Sequence, residues 1–130
     1  MKTCPFCQPE KLKLAAENLL AFAVYDLYPV NLGHCLIIPK RHVSSFFELM
    51  PEEVQACFEL LQQMKNQIDS IHGPVTYNIG INDGPDAGQS IPHVHIHLIP
   101  RYKGDSADPR GGVRLIFPER AIYTGAKKPE

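Results

Sequence analysis

The strongest pattern in this chain is the run Ile91-Pro92-His93-Val94-His95-Ile96-His97-Leu98-Ile99-Pro100. Histidines occupy every second position from His93 to His97, and apolar residues fill the positions between them. This alternation predicts a β-strand over His93–Pro100. Because successive strand side chains point to opposite faces, we predict that the three imidazoles share one face, with neighbouring rings about 6–7 Å apart. A plain surface strand is the alternative, but such strands normally favour Thr, Lys or Glu at these positions.

The three histidines suggest phosphoryl chemistry. The unperturbed pKa of imidazole is roughly 6.5, so a large neutral fraction exists near neutral pH. Neutral imidazole can attack phosphorus when one nitrogen is bare and the other carries a proton that a backbone carbonyl holds. His95, with a ring on either side, is the predicted nucleophile. A catalytic metal bound by all three is the alternative, disfavoured because ligands at every second strand position are too spread for one tetrahedral ion.

A turn-rich loop precedes the histidines: Asn82-Asp83-Gly84-Pro85-Asp86-Ala87-Gly88-Gln89-Ser90. Its glycines permit backbone N–H groups to converge on an anion. The side chains of Asn82, Gln89 and Ser90 are uncharged donors. Beside the histidines, this composition favours a phosphate-binding loop, and an ordinary hairpin connection is the alternative.

These residues resemble the signature of the histidine-triad superfamily of nucleotide hydrolases and transferases, in which three alternating histidines follow a loop like Gly88-Gln89-Ser90. A second block agrees, Asp26-Leu27-Tyr28-Pro29-Val30-Asn31-Leu32-Gly33-His34-Cys35-Leu36-Ile37-Ile38-Pro39-Lys40-Arg41-His42, which ends like the family's Pro-Lys-x-His. The resemblance covers roughly residues 4 to 104. The loop with Pro85 is closest to the fragile-histidine-triad branch, which cleaves dinucleoside polyphosphates. The tail from Asp108 to Arg114 matches neither this branch nor the phosphoramidase branch.

The resemblance implies a role for each site residue. His95 would form a nucleotidyl-histidine intermediate, His97 would contact the α-phosphate, and His93 would support His95 through its backbone carbonyl. Ser90 would also take part in catalysis, because its hydroxyl would contact phosphate oxygens or the leaving group. The nucleotide-binding residues would be Asp26, Asn82, Gln89, Ser90 and His97. Asp26 would accept hydrogen bonds from ribose hydroxyls, and its alternative is an ordinary turn residue.

Cys4-Pro5-Phe6-Cys7 is a C-x-x-C pair near the N-terminus. A thioredoxin-like redox pair follows a strand, and no strand can precede Cys4, so this interpretation is weak. Two cysteines are only half of a zinc site. Some histidine-triad proteins complete such a site with two histidines, and the matching residues here are His42 and His93. The resemblance thus implies a structural zinc bound by Cys4, Cys7, His42 and His93, with a disordered, metal-free N-terminus as the alternative. No organic cofactor is expected.

Length and composition limit the function classes. The chain has 130 residues, which predicts one domain over 1–130, with a motif-bearing core at about 4–104 and a C-terminal extension at 105–130. Four cysteines without a secretory segment indicate a reducing compartment, and we expect a cytoplasmic protein. A net charge of −1 gives no reason to expect nucleic-acid binding. No apolar run is long enough to predict a membrane partner.

The order of the predicted elements is β-β-β-α-β-β, which predicts an α+β domain with an antiparallel sheet of about five strands and one long helix. The remaining elements are a hairpin of Lys13–Glu17 and Leu19–Asp26, a strand at His34–Pro39, a helical turn near Ser45–Met50, a helix from Pro51 to about Ile71, and a strand at Val75–Asn82. The predicted apolar face of the helix consists of Val54, Cys57, Phe58, Leu61, Met64, Ile68 and Ile71. The family pairs two such sheets across a homodimer, and we expect the same here.

The sequence therefore predicts a nucleotide hydrolase that cleaves a nucleoside 5′-phosphoryl compound, with a dinucleoside polyphosphate as the first choice of substrate. The alternatives are a nucleoside phosphoramidase, a nucleotidyltransferase, a low-turnover nucleotide-binding interaction protein, and a zinc-stabilised binding module. His34 is predicted to be a hydrogen-bonded structural residue, and Cys35 and Cys57 are predicted core residues. Four cationic side chains could contact distal phosphates, and the alternative is that they are ordinary solvated side chains: Arg101, Lys103, Arg110 and Arg114.

Overall fold

A computed structural model describes residues 4–123, and within them a five-stranded antiparallel sheet packs against one long helix. The strands are β1 Leu14–Glu17, β2 Ala21–Tyr25, β3 Cys35–Pro39, β4 Thr76–Ile81 and β5 Ile96–Arg101, and the helix is α1 Pro51–His72. The order across the sheet is β1-β2-β3-β5-β4. The predicted α+β architecture is confirmed. Residues 124–130 of the predicted extension lie outside the described residues.

The long helix begins and ends where the sequence predicts. Pro51 is its first residue, a position where the missing N–H is no loss. The Glu53 carboxylate accepts a hydrogen bond from the Met50 N–H at 2.8 Å, which caps the first turn. At the other end Gly73 adopts a left-handed conformation, with φ 72°, and its N–H donates to the Asp69 carbonyl at 2.9 Å. Among the described residues, no helix is long and apolar enough to cross a membrane.

The face that the helix buries overlaps the predicted one only in part: Cys57, Met64 and Ile68 are buried as predicted, and Leu61 is partly buried against the core. Val54, Phe58 and Ile71 were expected in the core, but they are 37%, 52% and 60% exposed. The buried apolar residues of α1 are Ala56, Cys57, Leu60, Met64 and Ile68. The apolar pattern does not mark Ala56 as a core position because alanine is small, yet a small residue there lets the helix pack closely on the sheet residues Ala21 and Ala23.

The antiparallel register of the sheet places the histidine segment at its centre. His97 pairs with Leu36 of β3 on one side and with Gly80 of β4 on the other. Along β5, Ile96 and Leu98 are buried in the core beneath α1, and the alternate residues His97, Ile99 and Arg101 line a cavity on the other face of the sheet.

The predicted strand over His93–Pro100 starts later than expected. Regular pairing begins at Ile96, because the preceding residues bond elsewhere. The Val94 N–H donates to the Val43 carbonyl at 2.8 Å, and the His93 N–H donates to the Ile91 carbonyl at 2.8 Å. The histidine segment is thus half strand and half loop, which frees His93 from the strand's alternation.

Two terminal segments flank the sheet face opposite α1. The N-terminal segment packs Phe6 against the β2 and β3 residues Phe22 and Leu36. The C-terminal segment contacts β4 through a short 3-10 helix at Gly112–Ile116. The sheet face that carries His95 and His97 is therefore bordered by the segment around Phe6 and by the 3-10 helix at Gly112–Ile116.

The two internal cysteines are core residues, as predicted. Burial raises the pKa of Cys35 to about 12 and that of Cys57 to about 11.

Candidate active site and metal centre

His95 is held in the form that a nucleophile requires. Its Nδ1 lies 2.8 Å from the backbone carbonyl of His93. A carbonyl only accepts hydrogen bonds, so Nδ1 carries the proton and the Nε2 lone pair is bare. The side chain is 7% exposed, and its ring centroid lies 5.3 Å from that of His97. The structure thus brings His95 and His97 together, at a shorter separation than the sequence predicts, with the His93 carbonyl in its predicted orienting position.

His97 is the last member of a directional chain of hydrogen bonds. The Val30 N–H donates to Nδ1 of His34 at 3.1 Å, so the His34 proton sits on Nε2. That Nε2 lies 2.9 Å from Nδ1 of His97, which must accept. His97 therefore carries its own proton on Nε2. Burial lowers the pKa of His34, and burial together with the neighbouring histidines His95 and His34 lowers the pKa of His97 to about 4. A neutral His97 offers an N–H donor to a phosphate oxygen at neutral pH.

Asp26 belongs both to a turn and to this histidine chain. Its Oδ1 accepts a hydrogen bond from the Tyr28 N–H at 2.8 Å, and its Oδ2 lies 3.5 Å from Nε2 of His34. The contact with Tyr28 is the one expected of an ordinary turn residue. The carboxylate can still accept further hydrogen bonds, so its contact with ribose hydroxyls stays a prediction. Ligand atoms of Asp26, His34 and His97 lie within 4.8 Å of one another. A metal there is disfavoured, because the Val30 N–H occupies Nδ1 of His34 and leaves a proton on the nitrogen that would have to bind the ion.

The loop before the histidines does not present its backbone as predicted. The N–H groups of Gly84, Ala87, Gly88 and Gln89 all donate to partners within the loop itself. The prediction that these groups converge on an anion is therefore wrong. The Gln89 side chain is also engaged, because its amide donates to the Ser44 and Ile91 carbonyls at 2.8 and 3.1 Å. In this arrangement Gln89 shapes the loop, and its contact with phosphate stays a prediction.

Two side chains at the edges of the loop remain available to a ligand. Asn82 follows Ile81, which pairs with Ile96, so the register places Asn82 next to His95. Asn82 and Ser90 are both exposed. Their proposed phosphate contacts are compatible with these positions and stay predictions.

His93 points toward the N-terminal cysteines rather than joining the other two rings. The Phe6 ring lies in edge contact with both His93 and His95, at centroid distances of 5.8 and 5.3 Å. The expectation of three imidazoles on one strand face is therefore correct only for His95 and His97. Phe6 is absent from the predicted site residues, although an aromatic residue between two cysteines is a signal that the segment packs onto the core.

The ligand atoms of Cys4, Cys7, His42 and His93 lie within 4.8 Å of one another. Nδ1 of His93 is 3.4 Å from Sγ of Cys4, 3.6 Å from Sγ of Cys7 and 3.2 Å from Nδ1 of His42, and the Cys7 to His42 distance is 3.1 Å. Ligand atoms around a tetrahedral zinc are separated by about 3.3–3.8 Å, given its usual bond lengths. Nε2 of His93 lies 2.7 Å from the Pro39 carbonyl, which holds the proton there and leaves Nδ1 bare. The four predicted ligands therefore fit a metal ion.

The predicted distal-phosphate cations are mostly engaged in the structure. Arg101 forms an ion pair with Asp105 at 2.9 Å, and Arg110 forms one with Asp108 at 2.7 Å. Arg114 donates to two backbone carbonyls of the C-terminal segment. The Arg101 guanidinium also holds the pKa of Asp105 far below its usual range. These contacts do not test binding to phosphate, so the phosphate roles suggested for the three arginines and for the exposed Lys103 stay predictions.

Comparison with known proteins agrees with this geometry. A family model described as HIT domain matches residues 10–104. The chain belongs to the HIT family. A relative from Schizosaccharomyces pombe, bis(5′-nucleosyl)-tetraphosphatase [asymmetrical], is 40% identical over 89 residues, covering 68% of this chain and 49% of that protein. The adenosine 5′-monophosphoramidase hnt1 of the same organism is 38% identical over 104 residues, covering 76% of this chain and 74% of that protein.

A solved structure of a HIT protein carries the same fold with a metal. The Zn-bound histidine triad family protein from Mycobacterium smegmatis superimposes with a TM-score of 0.72 at 30% identity, covering 80% of this chain and 78% of that one. This HIT chain spans only about half the length of the tetraphosphatase relative, at 49%.

Proposed function

We propose that this HIT protein hydrolyses a nucleoside 5′-phosphoryl compound through a nucleotidyl intermediate on His95. The observation that carries the proposal is the pair of opposite hydrogen-bonding states on adjacent rings. His95 presents a bare Nε2, and His97 presents an Nε2–H. A nucleophile and a donor on neighbouring side chains suit attack at phosphorus with stabilisation of the oxygen charge.

The reaction has two displacement steps. In the first, the Nε2 lone pair of His95 forms a bond to the α-phosphorus while the bond from phosphorus to the leaving-group oxygen breaks. The ring then carries a positive charge, and the His93 carbonyl stabilises it by accepting from Nδ1–H. In the second, a water oxygen attacks the same phosphorus while the N–P bond breaks, and the electron pair of that bond returns to Nε2 of His95. Of the two protons of the water, one replaces the proton that the group released in the first step takes up, and the other passes to solvent. The products are a nucleoside monophosphate and the released leaving group.

The first choice of substrate is a dinucleoside polyphosphate. The support is the tetraphosphatase relative, which is 40% identical over its matched 89 residues. A nucleoside phosphoramidate is the second choice, supported by the phosphoramidase relative at 38% identity over a larger share of its length.

The test is turnover of diadenosine tetraphosphate and adenosine phosphoramidate, with products separated by chromatography. His95→Ala should lower the rate by about 10⁴-fold or more while nucleotide binding changes only a few-fold. His72→Ala is the matched control, since His72 is an exposed histidine at the end of α1. A wild-type protein that turns over neither compound, or a His95→Ala variant with normal turnover, would refute the proposal.

We also propose that the metal site binds zinc in a structural role. Support comes from the ligand distances, the bare Nδ1 of His93, and the zinc-bound Mycobacterium smegmatis structure. A bound ion would tie the N-terminal segment to His42 and His93. Protein purified without chelators should contain about one zinc per chain, and Cys7→Ser should lower both zinc content and melting temperature. Gln8→Ala, in the same segment, should change neither; a zinc-free protein whose melting temperature is insensitive to Cys7→Ser contradicts the assignment.

A homodimer is the third part of the proposal. β4 is an edge strand of the sheet, and Ile79 on it is 53% exposed. Phe58 on α1 is 52% exposed. An open strand edge beside exposed apolar residues favours pairing with a second copy. Light scattering should give twice the chain mass, and a monomer at micromolar concentration would contradict it.

A further inference from the structure

We propose that Cys4 and Cys7 form a peroxide-sensitive thiolate pair, whose oxidation to a disulfide releases the metal and removes the support that the N-terminal segment gives to His95. This inference rests on the proposed zinc site and on the proposed role of His95, and it adds a reversible control that neither of them contains. Three observations carry it: the exposure of the two sulfurs, the turn that joins them, and the contacts that connect them to His95.

The two cysteines of the metal site are the accessible cysteines of the described residues. Cys7 is exposed and Cys4 is half-buried, whereas Cys35 and Cys57 are 0% and 1% exposed. Zinc binds cysteine as the thiolate, which is also the form that an oxidant attacks. Because oxidation follows thiolate character and exposure, Cys7 is the first sulfur that a peroxide should reach.

The turn between these two cysteines allows them to form a disulfide. The Cys7 N–H donates to the Cys4 carbonyl at 3.2 Å, which closes a 3-10 turn across Pro5 and Phe6. The Cα atoms at the ends of such a turn lie within about 7 Å of each other, and a disulfide spans roughly 4.4–6.8 Å between Cα atoms. Both Sγ atoms also lie against the same atom, Nδ1 of His93, at 3.4 and 3.6 Å. Cys4 is therefore placed to react with an oxidised Cys7 while the turn stays folded.

Oxidation by a hydroperoxide proceeds in two displacements. In the first, Sγ of Cys7 attacks one oxygen of hydrogen peroxide, the O–O bond breaks, and hydroxide leaves, so that Cys7 becomes a sulfenic acid. In the second, the thiolate of Cys4 attacks Sγ of Cys7, the S–O bond breaks, and a second hydroxide leaves. The two sulfurs lose two electrons in total, the peroxide gains them, and each hydroxide takes a proton from solvent. The metal then keeps only His42 and His93, which are too few ligands for a closed zinc site, and it dissociates.

The N-terminal segment, residues 4–12, contacts the nucleophile through Phe6. The Phe6 ring lies between the two cysteines in sequence, is 6% exposed, and has its centroid 5.3 Å from that of His95. The segment consists of two short 3-10 helices whose backbone hydrogen bonds are internal, and the first strand begins only at Leu14. The metal and the packing of Phe6 therefore hold the segment on the sheet, and loss of the metal lets Phe6 move away from His95.

His93 connects the metal to the nucleophile by a second route. Its Nδ1 faces the cysteines, and its backbone carbonyl lies 2.8 Å from Nδ1 of His95. One residue thus contributes a metal ligand and the acceptor that fixes the proton of His95. Because a displacement of about 1 Å at a reacting group can lower a rate roughly 100-fold, a small shift of this carbonyl is enough to slow turnover.

The experiment treats zinc-loaded protein with graded amounts of hydrogen peroxide. A chromophoric chelator follows zinc release, and peptide mass spectrometry locates the oxidised sulfurs. The zinc released should equal the amount of disulfide between Cys4 and Cys7, while the buried Cys35 and Cys57 stay reduced as internal standards. In the same samples, kcat for diadenosine tetraphosphate should fall by about tenfold or more, and a dithiol with added zinc should restore it.

Cys7→His is the matched variant for this experiment. It keeps four zinc ligands, since histidine also binds zinc, but it cannot form the disulfide. At the peroxide dose that empties the wild-type site, it should keep its zinc and the kcat that it has before treatment. Gln8→Ala, in the same segment, should respond like the wild-type protein. Equal zinc loss from Cys7→His and the wild-type protein would mean that the disulfide is not the cause of release, which overturns the inference.

Zinc content measured before peroxide separates the claims. Protein that holds no zinc refutes the metal site and this control together, whereas loaded protein that keeps its zinc until Cys35 or Cys57 is oxidised refutes the control alone. If the wild-type protein turns over neither substrate, the proposed function fails, and nitrogen-15 NMR decides the coupling instead: oxidation should mix the two tautomers of His95. Zinc release that leaves kcat and the His95 tautomer unchanged, or that a dithiol with zinc does not reverse, also overturns the inference.

Discussion

Replacing His34 with phenylalanine should slow turnover through its effect on His97. His34 is 3% exposed and donates from Nε2 to Nδ1 of His97 across 2.9 Å. A hydrogen bond of this kind contributes about 0.5–1.5 kcal/mol net, and 1.4 kcal/mol is about tenfold in an equilibrium. Without it, the proton of His97 is no longer confined to Nε2, and the donor aimed at phosphate is lost in much of the population. We expect kcat to fall about tenfold with little change in KM.

His34→Gln is the matched variant for this prediction. The amide nitrogen of glutamine lies near the position of the histidine Nε2 and can donate to His97 in its place. It should recover most of the lost kcat, whereas His34→Phe preserves volume and lacks the donor. A purely structural role for His34 predicts that both variants lose activity in proportion to their loss of stability.

Nitrogen-15 NMR of histidine-labelled protein measures the tautomer directly. In the wild-type protein, His97 should show a pyrrole-type Nε2 and a pyridine-type Nδ1, and His34→Phe should mix these signals. If His97 keeps its tautomer in His34→Phe while kcat falls, the hydrogen-bond explanation is wrong. If kcat is unchanged, the predicted role of the His97 donor in catalysis is wrong as well.

Three further perturbations follow from the same contacts. Asp26→Ala should weaken ribonucleotide binding roughly tenfold to a hundredfold and 2′,3′-dideoxynucleotide binding much less, as measured by calorimetry; equal losses would make Asp26 a turn residue only. Glu53→Ala should lower the free energy of unfolding in urea by about 2 kcal/mol, because the carboxylate caps Met50 and pairs with Arg41, while Glu53→Gln, which keeps the Met50 contact, should lose less. The pKa of His97 is about 4 in the folded protein against a usual 6.5, so the unfolded chain binds more protons between these values. Its contribution is fully present above about pH 6.5 and declines by at most about 3 kcal/mol as the pH falls toward 4, a slope that His97→Gln should reduce.

The sequence predicts the fold well because its signals are local and independent. Pro51 and Gly73 mark the ends of α1 by backbone chemistry that needs no tertiary partner. The alternation after His95 predicts the face of β5 correctly, since a strand in the middle of a sheet keeps its period. The helix face was less predictable, because the small residue Ala56 is selected by the distance between helix and sheet, which periodicity does not encode.

The sequence predicts which residues form the candidate site, but it does not predict which contacts these residues make with one another. The spacing of Arg101 and Asp105 does not predict their ion pair, because Arg101 ends a strand and the turn that follows, closed by the Asp105 N–H on the Tyr102 carbonyl, brings the two side chains together. The contacts of the loop were not predictable either, because whether an N–H faces a ligand or an internal carbonyl depends on the turn geometry at Gly84 and Gly88. His34 could be recognised as structural, but its donor role depends on Val30, a backbone partner that no side-chain motif records.

The three motif histidines have different chemistry because each is held by a different group. The Pro39 carbonyl fixes the proton of His93 on Nε2 and turns a bare Nδ1 toward the cysteines. The His93 carbonyl fixes the proton of His95 on Nδ1 and leaves Nε2 bare. The donor N–H of His34 fixes the proton of His97 on Nε2. One residue type at regular spacing thus supplies a metal ligand, a nucleophile and a hydrogen-bond donor. Two of the three assignments depend on a backbone carbonyl, so loss of the Pro39 or His93 conformation should disable the site even when every motif side chain is present.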